Sequence, residues 1–111
     1  MLTSSAKAKG RRLCAKVKEI LHEWAPDLQD KDIRVTPSGV NGPDLQFSPR
    51  AEEVYPLAFE CKNQEKLNVW KSLEQAESHH EEGTYPILAF SRNRSKVYVA
   101  MEIEHFLRLI R

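Results

Sequence analysis

The sequence predicts an α/β domain, a mixed β-sheet flanked by helices with an αβββαββ core and one further helix at the end. Three observations predict it. Apolar residues recur at helical spacing in two long segments, strand-like runs fill the space between and after them, and two of those runs are apolar on both faces. Strands that are apolar on both faces need cover on both sides, which is why helices are expected above and below the sheet. A chain of 111 residues can bury one real core but not two. A single domain over residues 1–111 is expected, with residues 1–8 as a flexible basic arm.

From Lys9 to Ala25, Leu13, Val17, Ile20, Leu21 and Trp24 form an amphipathic stripe, and Pro26 stops the helix. Glu19 lies far from that stripe on the helical wheel and should be solvated. "DIRVTP" reads as a strand, "SGVNGP" as a loop with the residues that turns demand, and "DLQFS" as an alternating strand. In "YPLAFECK", Leu57, Phe59 and Cys61 share one face, while Ala58, Glu60 and Lys62 share the other. Helical spacing resumes over 67–80 through Leu67, Trp70, Leu73 and Ala76, with Gly83 as the stop; that apolar face is expected on the sheet. "TYPILAF" and "KVYVAM" are strands joined by "SRNRS", and Ile103, Phe106, Leu107 and Ile110 give the last helix an apolar face. Trp24 and Trp70 both fall on apolar stripes and are expected in the core.

The 41% apolar and 30% charged content excludes wholesale disorder. The longest apolar runs fall far short of the roughly 20 residues that span a bilayer, and "MLTSSAKAKGRR" lacks the apolar stretch of a secretory signal. A cytosolic protein with no membrane partner is expected. Cys14 and Cys61 are placed apart by most of the core, which suits reduced thiols with no staple and no zinc. The net charge of +1 conceals an uneven distribution. Lys7, Lys9, Arg11 and Arg12 crowd the N-terminal segment, and "SRNRSK" adds Arg92, Arg94 and Lys96. Such clusters can track phosphates on a nearly neutral protein, and they are the candidate nucleic-acid contacts; a solvated basic arm is the plain alternative.

Glu60 and Lys62 interrupt a run that otherwise reads as buried strand. Period-two geometry puts both on one face, their Cβ atoms about 7 Å apart. Asp44 opens the preceding strand after a Gly-Pro turn, so its carboxylate can approach that of Glu60 if the strands are neighbours. Two close carboxylates repel unless a cation lies between them. Mg²⁺, with Mn²⁺ as a substitute, takes oxygen ligands, which suits Asp44, Glu60 and the main-chain carbonyl of Cys61. Such an ion supports phosphodiester hydrolysis, and a neighbouring ammonium from Lys62 can orient water and offset developing charge. An exposed Glu and Lys in a weak ion pair is the plain reading of E-x-K by itself. His79 and His80, adjacent among acids, are expected as solvated surface. Asn63, Gln64 and Lys66, just past the strand, are weaker candidates for substrate contact, as are Tyr85 and Tyr98 for base stacking.

The order "GPD", strand, loop, "ECK" at 60–62 and a helix containing Gln75 resembles the PD-(D/E)XK nuclease superfamily over residues 9–101. Within it the chain looks most like small phage-type nucleases, and more distantly like archaeal Holliday junction resolvases and VRR-NUC domains. The resemblance implies a restriction-endonuclease-like fold, metal ligation by Asp44 and Glu60, a catalytic Lys62, a supporting Gln75, DNA as substrate and no organic cofactor. A homodimer is expected because duplex scission needs two cuts and one small chain offers one site. One departure stands out: resolvase-like members carry a Glu on the first helix where "KGRRLC" places Cys14.

Overall fold

The structure, a computed structural model, describes residues 4–111. Helix α1 runs Ser4–Trp24, and a 3-10 turn at Asp30–Asp32 leads into β1 (Ile33–Val35). Strand β2 (Leu45–Phe47) pairs antiparallel with β1, and a short helix α2 (Pro49–Val54) carries the chain to β3 (Leu57–Asn63). Helix α3 (Val69–His79) then crosses to β4 (Tyr85–Ser91), which pairs parallel to β3 from Leu57↔Tyr85 to Asn63↔Ser91. Strand β5 (Tyr98–Ala100) returns antiparallel to β4, and α4 (Ile103–Ile110) ends the described chain. The expected mixed α/β sheet architecture is present, and it is compatible with a restriction-endonuclease-like fold. It is divided into a two-stranded sheet β1-β2 and a three-stranded sheet β3-β4-β5.

The register explains the two faces. Phe59 and Cys61 of β3 and Ile87 and Ala89 of β4 pack with Leu13, Cys14, Val17 and Leu21 of α1 in one buried cluster. The even-numbered face of β3 and β4 carries Ala58, Glu60 and Leu88, all buried. Helix α3 lies against these two strands with Ser72 and Ala76 buried. Small side chains at positions i and i+4 let the helix approach the strands closely.

Several expectations are corrected. Residues 1–3 of the expected basic arm lie outside the described residues, and residues 4–8 are helical, so Lys7 stands on α1. Helix α2 replaces an expected loop: Ser48 caps it by accepting from the Ala51 N–H (3.1 Å), with Pro49 at its first position, a start signal that "FSPRAEE" carried in plain view. Trp24 and Trp70 are not core; they are 82% and 79% exposed. The buried stripe of α3 is rotated toward Ser72 and Ala76, because small residues rather than the indole fit over the charged strand face. The cysteines are not separated by the core either. Cys14 and Cys61 pack against each other across the α1–β3 contact, both as free thiols.

Candidate active site

A cleft of about 290 Å³ opens between the N-terminal half of α1, the loop after β1, the start of β2, the middle of β3 and α3. Its lining includes Lys7, Arg11, Cys14, Asp44, Glu60, Cys61, Lys62 and Gln75. Every residue expected to do chemistry therefore faces one space, although Asp44 and Gln75 come from opposite sides of β3 in the sequence.

Asp44 is held by backbone on both sides. Its N–H donates to the Phe59 carbonyl (2.7 Å) and its own carbonyl accepts from the Thr36 N–H (2.9 Å), joining β1, the start of β2 and β3. The Thr36 hydroxyl closes the intervening loop by donating to the Pro43 carbonyl (2.6 Å), and Gly39 and Gly42 supply the left-handed φ values of 84° and 120° that the loop needs. With the backbone fixed, the carboxylate Oδ2 accepts the Cys61 N–H at 2.7 Å. In an extended strand the N–H and C=O of one residue point to the same edge. The Cys61 carbonyl thus projects to the edge at which Asp44 stands.

Glu60 is buried, its side chain only 4% exposed. Burial pushes its carboxyl above the ordinary range and the negative charge of Asp44 adds to the rise, while His79 and Lys62 act in the opposite direction. Since a carboxylate only accepts, His79 Nδ1–H donates to Oε1 at 3.1 Å. Lys62 Nζ lies 3.8 Å from Oε2, too far for a hydrogen bond, so it is held by charge rather than locked in place. His79 is the functional candidate that sequence reasoning missed. It is half-buried and bonded to Glu60, whereas its neighbour His80 is exposed and bonded to the Glu77 carbonyl. The signal was its position, one turn beyond Gln75 on the same helix.

Behind Asp44 lies a second kind of donor. The sulfurs of Cys14 and Cys61 and one Asp44 carboxylate oxygen lie within 4.8 Å of one another. A hydrogen bond from the Cys61 thiol to the Cys14 sulfur, together with burial, pushes the Cys61 thiol up, and the same bond draws Cys14 down. Cys14, on α1, is buried with its thiol against β3. Glu19 is exposed and contributes nothing to the cleft.

The expected phosphate contacts divide. Lys7 and Arg11 line the cleft; Lys9 and Arg12 do not. Arg92, Arg94 and Lys96 are exposed on the β4–β5 hairpin, where Arg92 borders a different groove with Gln64, Glu65 and Tyr98, and the Asn93 N–H donates to Glu65 (2.9 Å). Asn63 is half-buried, and Gln64 and Lys66 are exposed. The rings of Tyr85 and Tyr98 already contact His105 and Phe90.

A mixed α/β domain that brings a Pro-Asp turn and a Glu-x-Lys strand to one cleft defines the PD-(D/E)XK class of nucleases. Within that class, residues 5–110 match the family described as "Phage putative PDDEXK endonuclease", and the chain belongs to that family. Nucleases of this class use divalent metals, and DNA is the substrate that the family implies. No match is found among the curated proteins or among the solved structures. Among the described residues, no helix is long and apolar enough to cross a membrane.

Proposed function

We propose that this chain is a Mg²⁺-dependent endodeoxyribonuclease whose catalytic residues are Asp44, Glu60, Lys62 and Gln75. The observation that carries the reading is the single cleft in which those four side chains meet, with Lys7 and Arg11 beside them. The donor chemistry fits a hard divalent ion: the carboxylates of Asp44 and Glu60 and the Cys61 carbonyl would hold Mg²⁺, or Mn²⁺ in its place, through oxygen. When bound, the ion supplies charge neutralisation and an acidified water to phosphodiester hydrolysis. Lys62, which lines the cleft 3.8 Å from Glu60 Oε2, would orient the attacking water and offset the negative charge that builds on the phosphoryl oxygens. Gln75 offers an amide that can accept from or donate to an ordered water. His79 holds Glu60 in one rotamer, and Lys7 and Arg11 receive backbone phosphates.

Branched or duplex DNA is the proposed substrate, in the manner of a resolvase-like enzyme, cut by a homodimer in the cytoplasm of a phage-infected cell. Lys62→Ala should abolish Mg²⁺-dependent cleavage across a panel of branched, duplex and single-stranded DNA while leaving the circular dichroism spectrum and salt-dependent binding intact. Cleavage retained by this variant would remove Lys62 from the mechanism. Binding without hydrolysis by the wild type in Mg²⁺ and Mn²⁺ would make the chain a DNA-binding module on a nuclease scaffold.

A further inference from the structure

The thiols of Cys14 and Cys61 take no part in the oxygen-ligand chemistry proposed for the cleft, yet both residues line it together with Asp44. The two sulfurs and one Asp44 carboxylate oxygen lie within 4.8 Å of one another. Three separately fixed elements deliver them. Cys14 stands on α1 and Cys61 on β3, both within the buried cluster, and Asp44 leads into β2 with its backbone hydrogen-bonded to Thr36 and Phe59. The two cysteines are far apart in the chain, so no spacing pattern announces the trio; the packing of α1 on β3 assembles it.

Three donors so arranged match the bonding of a thiophilic divalent ion. Zn²⁺ binds thiolate at about 2.3 Å and carboxylate oxygen at about 2.0 to 2.2 Å, which in a tetrahedron sets the donors roughly 3.5 to 3.8 Å apart. From the spacing in the fold, each side chain has to move by less than about 1 Å to reach that geometry. The ion takes the place of the thiol protons, which pass to solvent. Asp44 can join because a carboxylate accepts from several directions and the Cys61 N–H occupies one of them. Sulfur ligands select zinc over magnesium, which keeps to oxygen. Three protein ligands leave the fourth position to water, as in exchangeable rather than purely structural sites, and the cleft supplies that water.

Glu60 and Cys61 point to opposite faces of β3, so an ion on the sulfurs and an ion on Glu60 draw the Asp44 carboxylate to different sides. We propose that Cys14, Cys61 and Asp44 form a binding site for a thiophilic divalent ion, Zn²⁺ foremost, and that filling it withdraws Asp44 from the Mg²⁺ site and stops hydrolysis. The inhibitory half rests on the nuclease reading, in which Asp44 holds Mg²⁺; the binding half does not, and absorption rather than cleavage tests it.

Titrating the reduced protein with Co²⁺ in the absence of oxygen should give thiolate-to-cobalt charge-transfer absorption in the near ultraviolet that saturates at one ion per chain, and Zn²⁺ should abolish it by displacement. The chain has two cysteines, so the band reports Cys14 and Cys61 alone. Cys14→Ser should weaken Co²⁺ binding by more than about 100-fold, beyond the effect of losing an outer partner of a ligand, with circular dichroism as the check on folding. Should that variant not fold, the wild-type band still decides, since two thiolates absorb twice as strongly as one. In excess Mg²⁺, one equivalent of Zn²⁺ should stop cleavage by the wild type and a chelator should restore it. No charge-transfer band with Co²⁺ would overturn the site, and full cleavage with the site saturated by Zn²⁺ would overturn the withdrawal of Asp44. An inactive protein that shows the band would overturn the nuclease reading and support the site.

Discussion

Glu60 illustrates how a single residue carries opposite demands from stability and function. The folded chain holds its proton more tightly than the unfolded chain, in which a glutamate titrates near 4.5. Such a group favours the fold at low pH and loses that contribution as pH rises through its raised folded value. Without metal, the melting temperature of the wild type should therefore fall relative to Glu60→Gln as pH rises from 4.5 upward, and Mn²⁺ should reverse the trend by binding the ionised carboxylate. Parallel melting curves for the two proteins across that window would remove Glu60 from the buried charge balance. His79 belongs to the same argument. Removing the hydrogen bond in His79→Ala frees the Glu60 rotamer and lets its carboxyl rise further, which should weaken metal binding by about 10- to 100-fold, the usual effect of losing the partner of a ligand. Calorimetric titration with Mn²⁺ measures this directly, and His79→Gln, which keeps a donor, should recover part of the loss.

At the scale of elements, the cleft depends on how short pieces are pinned. Strands β1 and β2 have three residues each, yet they deliver Asp44 because Thr36 and Phe59 fix its backbone from both sides. Helix α2 has a second role beyond filling the β2–β3 connection. The hydroxyl of its cap, Ser48, donates to Asp32 Oδ1 (2.7 Å) while accepting from Ala51, so one side chain ties the helix to the turn before β1. Ser48→Ala should lower stability by about 1 kcal/mol, the typical cost of losing an N-cap, read as a shift in the urea midpoint at constant slope. The strand identities were legible from alternation, and Pro49 with Ser48 announced α2. The rotation of α3 was not legible. Its sequence offers Trp70, Leu73 and Ala76 as one stripe; Ala76 is buried as that stripe predicts, but Ser72 is buried with it while Trp70 is exposed, because closeness to a charged strand face selects small side chains over bulky ones.

Across the whole molecule, charge is arranged by fold rather than by sequence neighbourhood. Lys7 and Arg11, one helical turn apart on α1, border the cleft, while Arg92, Arg94 and Lys96 stand on a hairpin beside another groove. Neutralising a phosphate contact lowers the salt dependence of binding by about one unit of log–log slope. Lys7→Ala with Arg11→Ala should then reduce that slope by about two for duplex DNA, and the equivalent change at Arg92 and Arg94 should reduce it less; equal losses would place the hairpin on the DNA path as well. Measuring affinity by fluorescence anisotropy at several salt concentrations gives both slopes.

The sequence by itself determined what covalent geometry dictates. Residues 60 and 62 share a strand face because the period of an extended chain is two, Asp44 opens a strand because a Gly-Pro turn precedes it, and the joint pattern already indicated the nuclease class. Only the tertiary structure decided what meets what across the chain: the Cys61 N–H on Asp44, His79 on Glu60, Cys14 against Cys61, and the outward stripe of α4. Periodicity gives a side chain its direction relative to its own backbone. Where that direction leads depends on how the neighbouring elements pack, and this is set by the shape, size and charge of residues far away in the sequence.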